Sequence, residues 1–226
     1  MVAAQRWGAV VSQALLVILP TFVPDFRRAI GVNLGLAADA FVQGVPVGLL
    51  LGALRLPLDQ EGGAGRCARR WRHAGARVAD AAVGLMRAAP TFVVMYVLLE
   101  ALPAAYAPHA AQAVAGALAI YAAAYVADNL LASLSDARAG ARAGALPFAM
   151  GLLRLYFVMV LASGFGAAVG VTEATALTLR TLQALPTAAD RLCVMAGVVA
   201  VFIAMRLLAF AAIACLMTVL RRGDPR

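Results

Sequence analysis

Asn33, Asp39 and Gln43, then Glu100, Asp128 with Asn129, and finally Arg206 interrupt stretches of sequence that are otherwise apolar. Polar and ionisable groups in such surroundings are costly in hydrocarbon, so they face the interior of a helix bundle, pair with one another, or line a polar path through it. Asp39 and Gln43 are four residues apart and share one helix face. An ion pair of Asp39 or Asp128 with Arg206 would neutralise both charges in a low-dielectric setting. The chemistry on offer is therefore that of a solute path: Asn33, Asp39, Gln43, Asp128, Asn129 and Arg206 are the candidate lining residues. Each has a plainer reading, because a buried Asp–Arg pair is often only architectural and Glu100, near a helix end, can reach the headgroups. Arg87 reads as a scaffold contact rather than a ligand.

Covalent, metal and nucleotide chemistry are not indicated. Cys67, Cys193 and Cys215 are scattered, and His73 and His109 have no neighbour of ligand type, so no metal site, nucleophile or disulfide framework is expected. The chain contains no lysine, which excludes the Gly-x-x-x-x-Gly-Lys-Ser/Thr loop that cradles ATP phosphates. A net charge of +8 raises the question of nucleic acid. The arginines, however, cluster between apolar runs instead of forming a face interleaved with aromatics, and nucleic acid is not an expected partner.

These residues must be positioned by membrane-spanning helices. Of 226 residues 64% are hydrophobic and 13% charged, with a mean hydropathy of +0.88, too little polar surface to cover a soluble globule. A span needs roughly 20 mostly apolar residues, and the stretches 30–54, 79–103, 111–134 and 192–220 qualify, with a shorter fifth at 155–171. The stretch 7–23, which holds Pro20, either spans, lies in the interface, or acts as a signal sequence. The expected fold is all-α: an integral membrane helical bundle of five core helices, with a sixth at the amino terminus if 7–23 crosses. Segment 59–77, with Arg66, Arg69, Arg70, Arg72 and Arg77, is expected as a cytoplasmic loop. Alternation then puts 103–109 and 172–191 outside, and 135–154 and the carboxyl terminus inside. Gly31, Gly35, Gly44, Gly48 and Gly52 make a small-residue stripe on the first core helix, and 115–127 is a run rich in alanine; both patterns let helices approach closely.

Three segments resemble the permease subunit of polar amino-acid ABC importers, a type I importer fold, collinearly from about residue 22 to 222. FVPDFRRAIGVNLGLAADAFVQGVPVGLLLGALR (22–55) is similar to the family's opening helix, which ends in glycines closed by arginine. MRAAPTFVVMYVLLEALP (86–103) resembles its Phe-Arg-Gly-Thr-Pro pattern, with Arg87 and Pro90 kept and Ala88-Ala89 in place of Gly-Thr. AYVADNLLASLSDARAGARAGALPFAMGLLRLYFVMVL (124–161) is similar to the helix leading into the cytoplasmic EAA loop. Asp128 falls on the family's glutamate. Gly140 is kept at the loop's start, whereas Ala143 and Ala149 replace its signature glutamate and glycine. Alanine in place of a helix-stopping glycine extends or re-aims the helix.

The resemblance implies a division into an amino-terminal hydrophobic segment (1–28) and a type I transmembrane domain (29–222) whose coupling loop lies at about 135–154. It implies a transporter subunit rather than an enzyme, multi-pass in the bacterial inner membrane with a cytoplasmic carboxyl terminus. Its partners would be a dimer of ABC ATPase subunits, which alone bind ATP and Mg, a second permease subunit, identical or not, and a periplasmic solute-binding protein, all around the lipid bilayer. Arg138, Gly140, Arg142, Ala143, Ala149 and Arg154 would form the joint with the ATPase. The missing glutamate and glycine leave an alternative open: a divergent, weakly coupled scaffold subunit of a heterodimeric permease.

Overall fold

The computed structural model describes residues 13–56, 66–101, 109–138 and 145–222. Helix α1, Gln13–Leu54, carries Pro20, Pro24 and Pro46 within a run of 42 residues. In hydrocarbon the freed carbonyls have no water to turn to, so the rest of the helical hydrogen-bond ladder is kept and proline is tolerated. At 1.5 Å per residue α1 is about 60 Å long, near twice the roughly 30 Å hydrocarbon layer. Over the described residues the stretches expected at 7–23 and 30–54 lie on one helix, and the boundary expected at 28–29 falls inside it.

The next expectation is also revised. Helix α2, Arg66–Ala88, begins within the segment read as a loop, and the expected span 79–103 is broken. Pro90, extended at φ −61° and ψ 125°, lacks an N–H and disfavours helical geometry at Ala89. Helix α3, Thr91–Glu100, therefore leaves at 95° to α2. Helix α4 is Ala110–Arg138, α5 is Ala145–Ala162, and a 3₁₀ helix, Ser163–Val169, continues α5. Helices α6, Ala174–Ala184, and α7, Ala188–Arg222, complete the chain. Among the described residues four stretches, Leu15–Leu54, Ala110–Arg138, Pro147–Val169 and Ala188–Cys215, are long and apolar enough to cross a membrane, and the bent α2–α3 pair makes a fifth if it counts as one span. The protein is all-α, as expected for a helical membrane protein.

Two compact units emerge, Val32–Val171 and a second made of residues up to Gly31 with Thr172–Arg226. In the first, α4 is the centre, its alanines at 113, 115, 117, 119, 122, 123, 124 and 127 all buried. Small residues on both sides bring backbones together: a methyl group at Gly44 would meet the carbonyl oxygen of Ala119 at 2.6 Å, and one at Gly48 that of Ala123 at 2.6 Å. Gly52 faces Leu130 and Ala127, whereas Gly31 and Gly35 face open space, so only the later part of the expected stripe is a packing seam. Val83 of α2 packs with Ala124 and Ala127 of α4, joined by Leu51 and Met86. Tyr156 of α5 donates to the Leu34 carbonyl at 3.2 Å and meets Phe41 edge-on, tying α5 to α1.

In the second unit Leu15, Leu185 and Val194 form one buried cluster and Phe26, Ala29 and Ala174 another. Phe22 stacks on Phe26 with ring centres 5.2 Å apart. Glu173 caps α6, its carboxylate accepting from the backbone N–H groups of Thr175 and Ala176. Thr187 accepts from the N–H of Asp190 and donates to its carboxylate, which sets the start of α7.

Candidate functional site

The helix ends of the first unit converge on a charged cluster. Arg55 follows α1, Asp80 and Arg87 belong to α2, and Asp128 lies in α4, ten residues before its end. Arg55 Nε donates to Asp80 Oδ1 at 2.5 Å and its Nη1 to Asp128 Oδ1 at 2.7 Å. Arg87 Nη1 donates to the other Asp128 oxygen at 2.7 Å. Asp128 thus divides its carboxylate between two guanidinium groups brought by different helices. Arg55 is the least exposed of the four, with 16% of its side chain accessible. Burial by itself lowers its pKa, but the hydrogen bonds and charges of Asp128 and Asp80 outweigh burial and raise it, so the cation is fixed.

Beside the cluster a cavity of about 490 Å³ is lined by Arg87, Tyr121, Tyr125, Asp128 and Asn129, with Ala124 and Ala132. Asn129 donates to the Phe148 carbonyl at 3.0 Å, joining α4 to α5. It lies so close to Gly151 that a methyl group there would overlap the amide. The cavity therefore has one carboxylate, already engaged, one guanidinium, one amide and two phenols in its wall: groups suited to a zwitterionic or amide-bearing solute, or to holding helix ends together.

The other candidate residues are dispersed. Asn33 is buried and donates to Ser163 Oγ at 2.8 Å, and Ser163 donates in turn to the Val160 carbonyl, an architectural link between α1 and the 3₁₀ helix. Asp39 and Gln43 do share a face of α1, and that face is exposed. Glu100 is exposed at the last residue of α3. Arg206 lies in the other unit, its guanidinium 5.5 Å from the Phe210 ring centre. The partner expected for Asp128 is therefore corrected: Arg55 and Arg87 of its own unit engage it. Arg87, expected as a scaffold contact, donates to Asp128 and also lines the cavity.

Of the residues expected at a coupling joint, Arg138 ends α4 and is exposed, and Ala149 and Arg154 are exposed along α5. Gly140, Arg142 and Ala143 lie outside the described residues. Helix α5 runs unbroken through Ala149, the continuation expected when alanine replaces a helix-stopping glycine, so the expected loop 135–154 is helical over 135–138 and 145–154. Sequence reasoning missed Asp80, which reads as an ordinary polar residue of an amphipathic stretch, and it assigned Arg55 only a topological role. The available signal for Arg55 was its place as the first charge after the fifteen uncharged residues 40–54.

No protein-family model matches this sequence, and no curated protein matches it. Its structure is similar to a solved one described as "Crystal structure of an amino acid ABC transporter with histidines", with a TM-score of 0.68 and 17% sequence identity. The likeness covers 88% of this chain and 96% of that one. The chain is thus an all-α membrane protein with the fold of a chain of an amino acid ABC transporter.

Proposed function

We propose that this chain is the permease subunit of an ATP-driven importer for a polar amino acid or similar small solute. The observation that carries the reading is the fold likeness, which extends over nearly the whole of the solved transporter chain. Further support comes from the polar groups left on apolar helices. Asp39 and Gln43 are exposed on one face of a spanning helix, with no hydrogen bond or ion pair among the described residues. A carboxylate facing lipid is costly, so this face borders a second permease subunit, and between the two runs the solute path. Asp128 and Asn129, in the wall of the cavity, are its further candidates.

ATP and Mg are bound by a separate dimer of ATPase subunits, and a solute-binding protein delivers cargo from the outer face of a bacterial inner membrane. ATPase closure pushes on the segment that includes Arg138, Gly140, Arg142, Ala143, Ala149 and Arg154, and rocks the permease halves between outward and inward access. The Arg55–Asp80–Asp128–Arg87 cluster ties the ends of α1, α2 and α4 together, so that this push moves them jointly. The test is uptake by proteoliposomes holding this chain with the ATPase, permease and binding protein of its gene neighbourhood. ATP-dependent accumulation of a polar amino acid is expected; no ATPase binding and no uptake would refute the proposal.

The unbroken α5 favours a second reading, a scaffold subunit with weakened coupling, because a continuous helix lacks the turn that the family's glycine provides. The double substitution Ala143→Glu with Ala149→Gly separates the two. Increased uptake identifies a weakened transporter, and unchanged uptake identifies a scaffold.

A further inference from the structure

Helix α2 is unlike the spanning helices. Between residues 70 and 88 it carries Arg70, Arg72, Arg77, Asp80 and Arg87, too many charges for hydrocarbon. Yet Trp71, Val78 and Leu85 are 74%, 69% and 72% exposed. They recur every seventh residue, and since a heptad returns to within about 20° of its starting direction they form one line along the helix. This line is not the packing seam, which runs through the buried Ala79 and Val83 on another side. Arg70 and Arg77, each one residue ahead of Trp71 and Val78, make a parallel line of exposed cations beside it, with only the alanines at 74 and 81 between the two.

The 95° bend at Pro90 adds an independent geometric fact. Helix α3 has no charge before Glu100, so it is the part of the pair that enters hydrocarbon. A helix at a right angle to it runs along the membrane surface. An arginine-bordered apolar stripe in that orientation has the form of an interfacial helix, whose apolar side sinks to the acyl boundary while its cations meet phosphates.

We propose that α2 lies in the headgroup layer and binds anionic phospholipid, with Trp71, Val78 and Leu85 at the acyl boundary and Arg70 and Arg77 on lipid phosphates. Charge complementarity selects the occupant: the stripe's charged border is cationic, while Asp80 and Arg87 are engaged with Arg55 and Asp128. Those same pairs join α2 to the end of α1 and to α4, which holds the helix in place. The inference needs only that the chain is a membrane protein, and does not depend on the transport reading.

The test uses the purified full-length chain with Trp7→Phe, which leaves Trp71 as the sole indole, reconstituted in vesicles of phosphatidylcholine with or without phosphatidylglycerol. Brominated versions of each lipid report contact with Trp71. The expected result is quenching by lipid brominated near the headgroup, stronger for phosphatidylglycerol than for phosphatidylcholine. Arg70→Gln with Arg77→Gln is expected to reduce that preference roughly five-fold for each arginine removed. Equal quenching by both lipids before any arginine is changed would overturn the proposal, as would an unaltered preference in the double variant. Trp71 unquenched by lipid but shielded from acrylamide would also overturn it, and would place a protein surface on the stripe.

Discussion

Replacing Gly48 by alanine adds one methyl group where α1 and α4 are closest. That methyl would stand 2.6 Å from the Ala123 carbonyl oxygen and 2.6 Å from Val126 Cβ. Carbon atoms pack at about 3.5–4.0 Å, so the helices must part locally by about an ångström, and because one obstacle is backbone no rotamer change relieves it. Overpacking of this kind costs about 1–3 kcal/mol. Alanine also favours a helix over glycine by about 1 kcal/mol, which offsets part of the cost and obscures a comparison with the unmodified chain. Gly35→Ala removes that ambiguity: it has the same propensity gain in the same helix, and nothing lies within 4 Å of the new methyl. The difference between the two variants is the steric term alone, about 1–3 kcal/mol, or roughly 2–12 °C in Tm for a chain of this size. Thermal unfolding in a single detergent, followed by loss of helical circular dichroism, should place Gly48→Ala below the unmodified protein and Gly35→Ala at or above it. If Gly48→Ala melts as high as Gly35→Ala, the α1–α4 seam described here is wrong.

Asp128→Ala takes the carboxylate from Arg87 and leaves the mostly buried Arg55 with Asp80 alone, and is expected to cost about 1–3 kcal/mol; Arg87→Gln, at an exposed position, should cost less than about 1 kcal/mol in the same melt. Ser163→Ala takes from the buried Asn33 amide the acceptor it holds at 2.8 Å, and is expected to destabilise by about 1–3 kcal/mol; a loss below about 0.5 kcal/mol would show that the link does not stabilise the fold. Asp39→Leu should leave the stability of the isolated subunit within about 0.5 kcal/mol of the original in the same melt, as for other exposed positions. The same substitution should lower uptake by the reconstituted assembly, and unchanged uptake would remove Asp39 from the solute path.

Much of this architecture was legible in the residues. An apolar solvent obliges each spanning backbone to satisfy its own hydrogen bonds, so apolar length read along the chain returned helices over 30–54, 111–134, 155–171 and 192–220, although the first is continuous from residue 13 and the third ends in a 3₁₀ turn. The small-residue spacing at Gly44, Gly48 and Gly52 marked a genuine seam, and Asp128 stood out as a charge needing a partner. What the sequence could not decide was which of several equivalent local signals would act. Pro20, Pro24 and Pro46 leave α1 continuous while Pro90 turns the chain through 95°, because a proline's freed carbonyl and displaced ring are tolerated or not according to the helices packed around them. Gly31 and Gly35 have the same spacing as Gly44 and Gly48 but meet nothing, since a seam needs a partner helix and only tertiary packing supplies one. Asp128 takes Arg55 from 73 residues away and Arg87 from 41, a choice that depends on where helix ends meet in space. Helical period and burial are local consequences of solvent and can be read in one dimension; the pairing of charges and the direction of a break are settled only when distant segments pack.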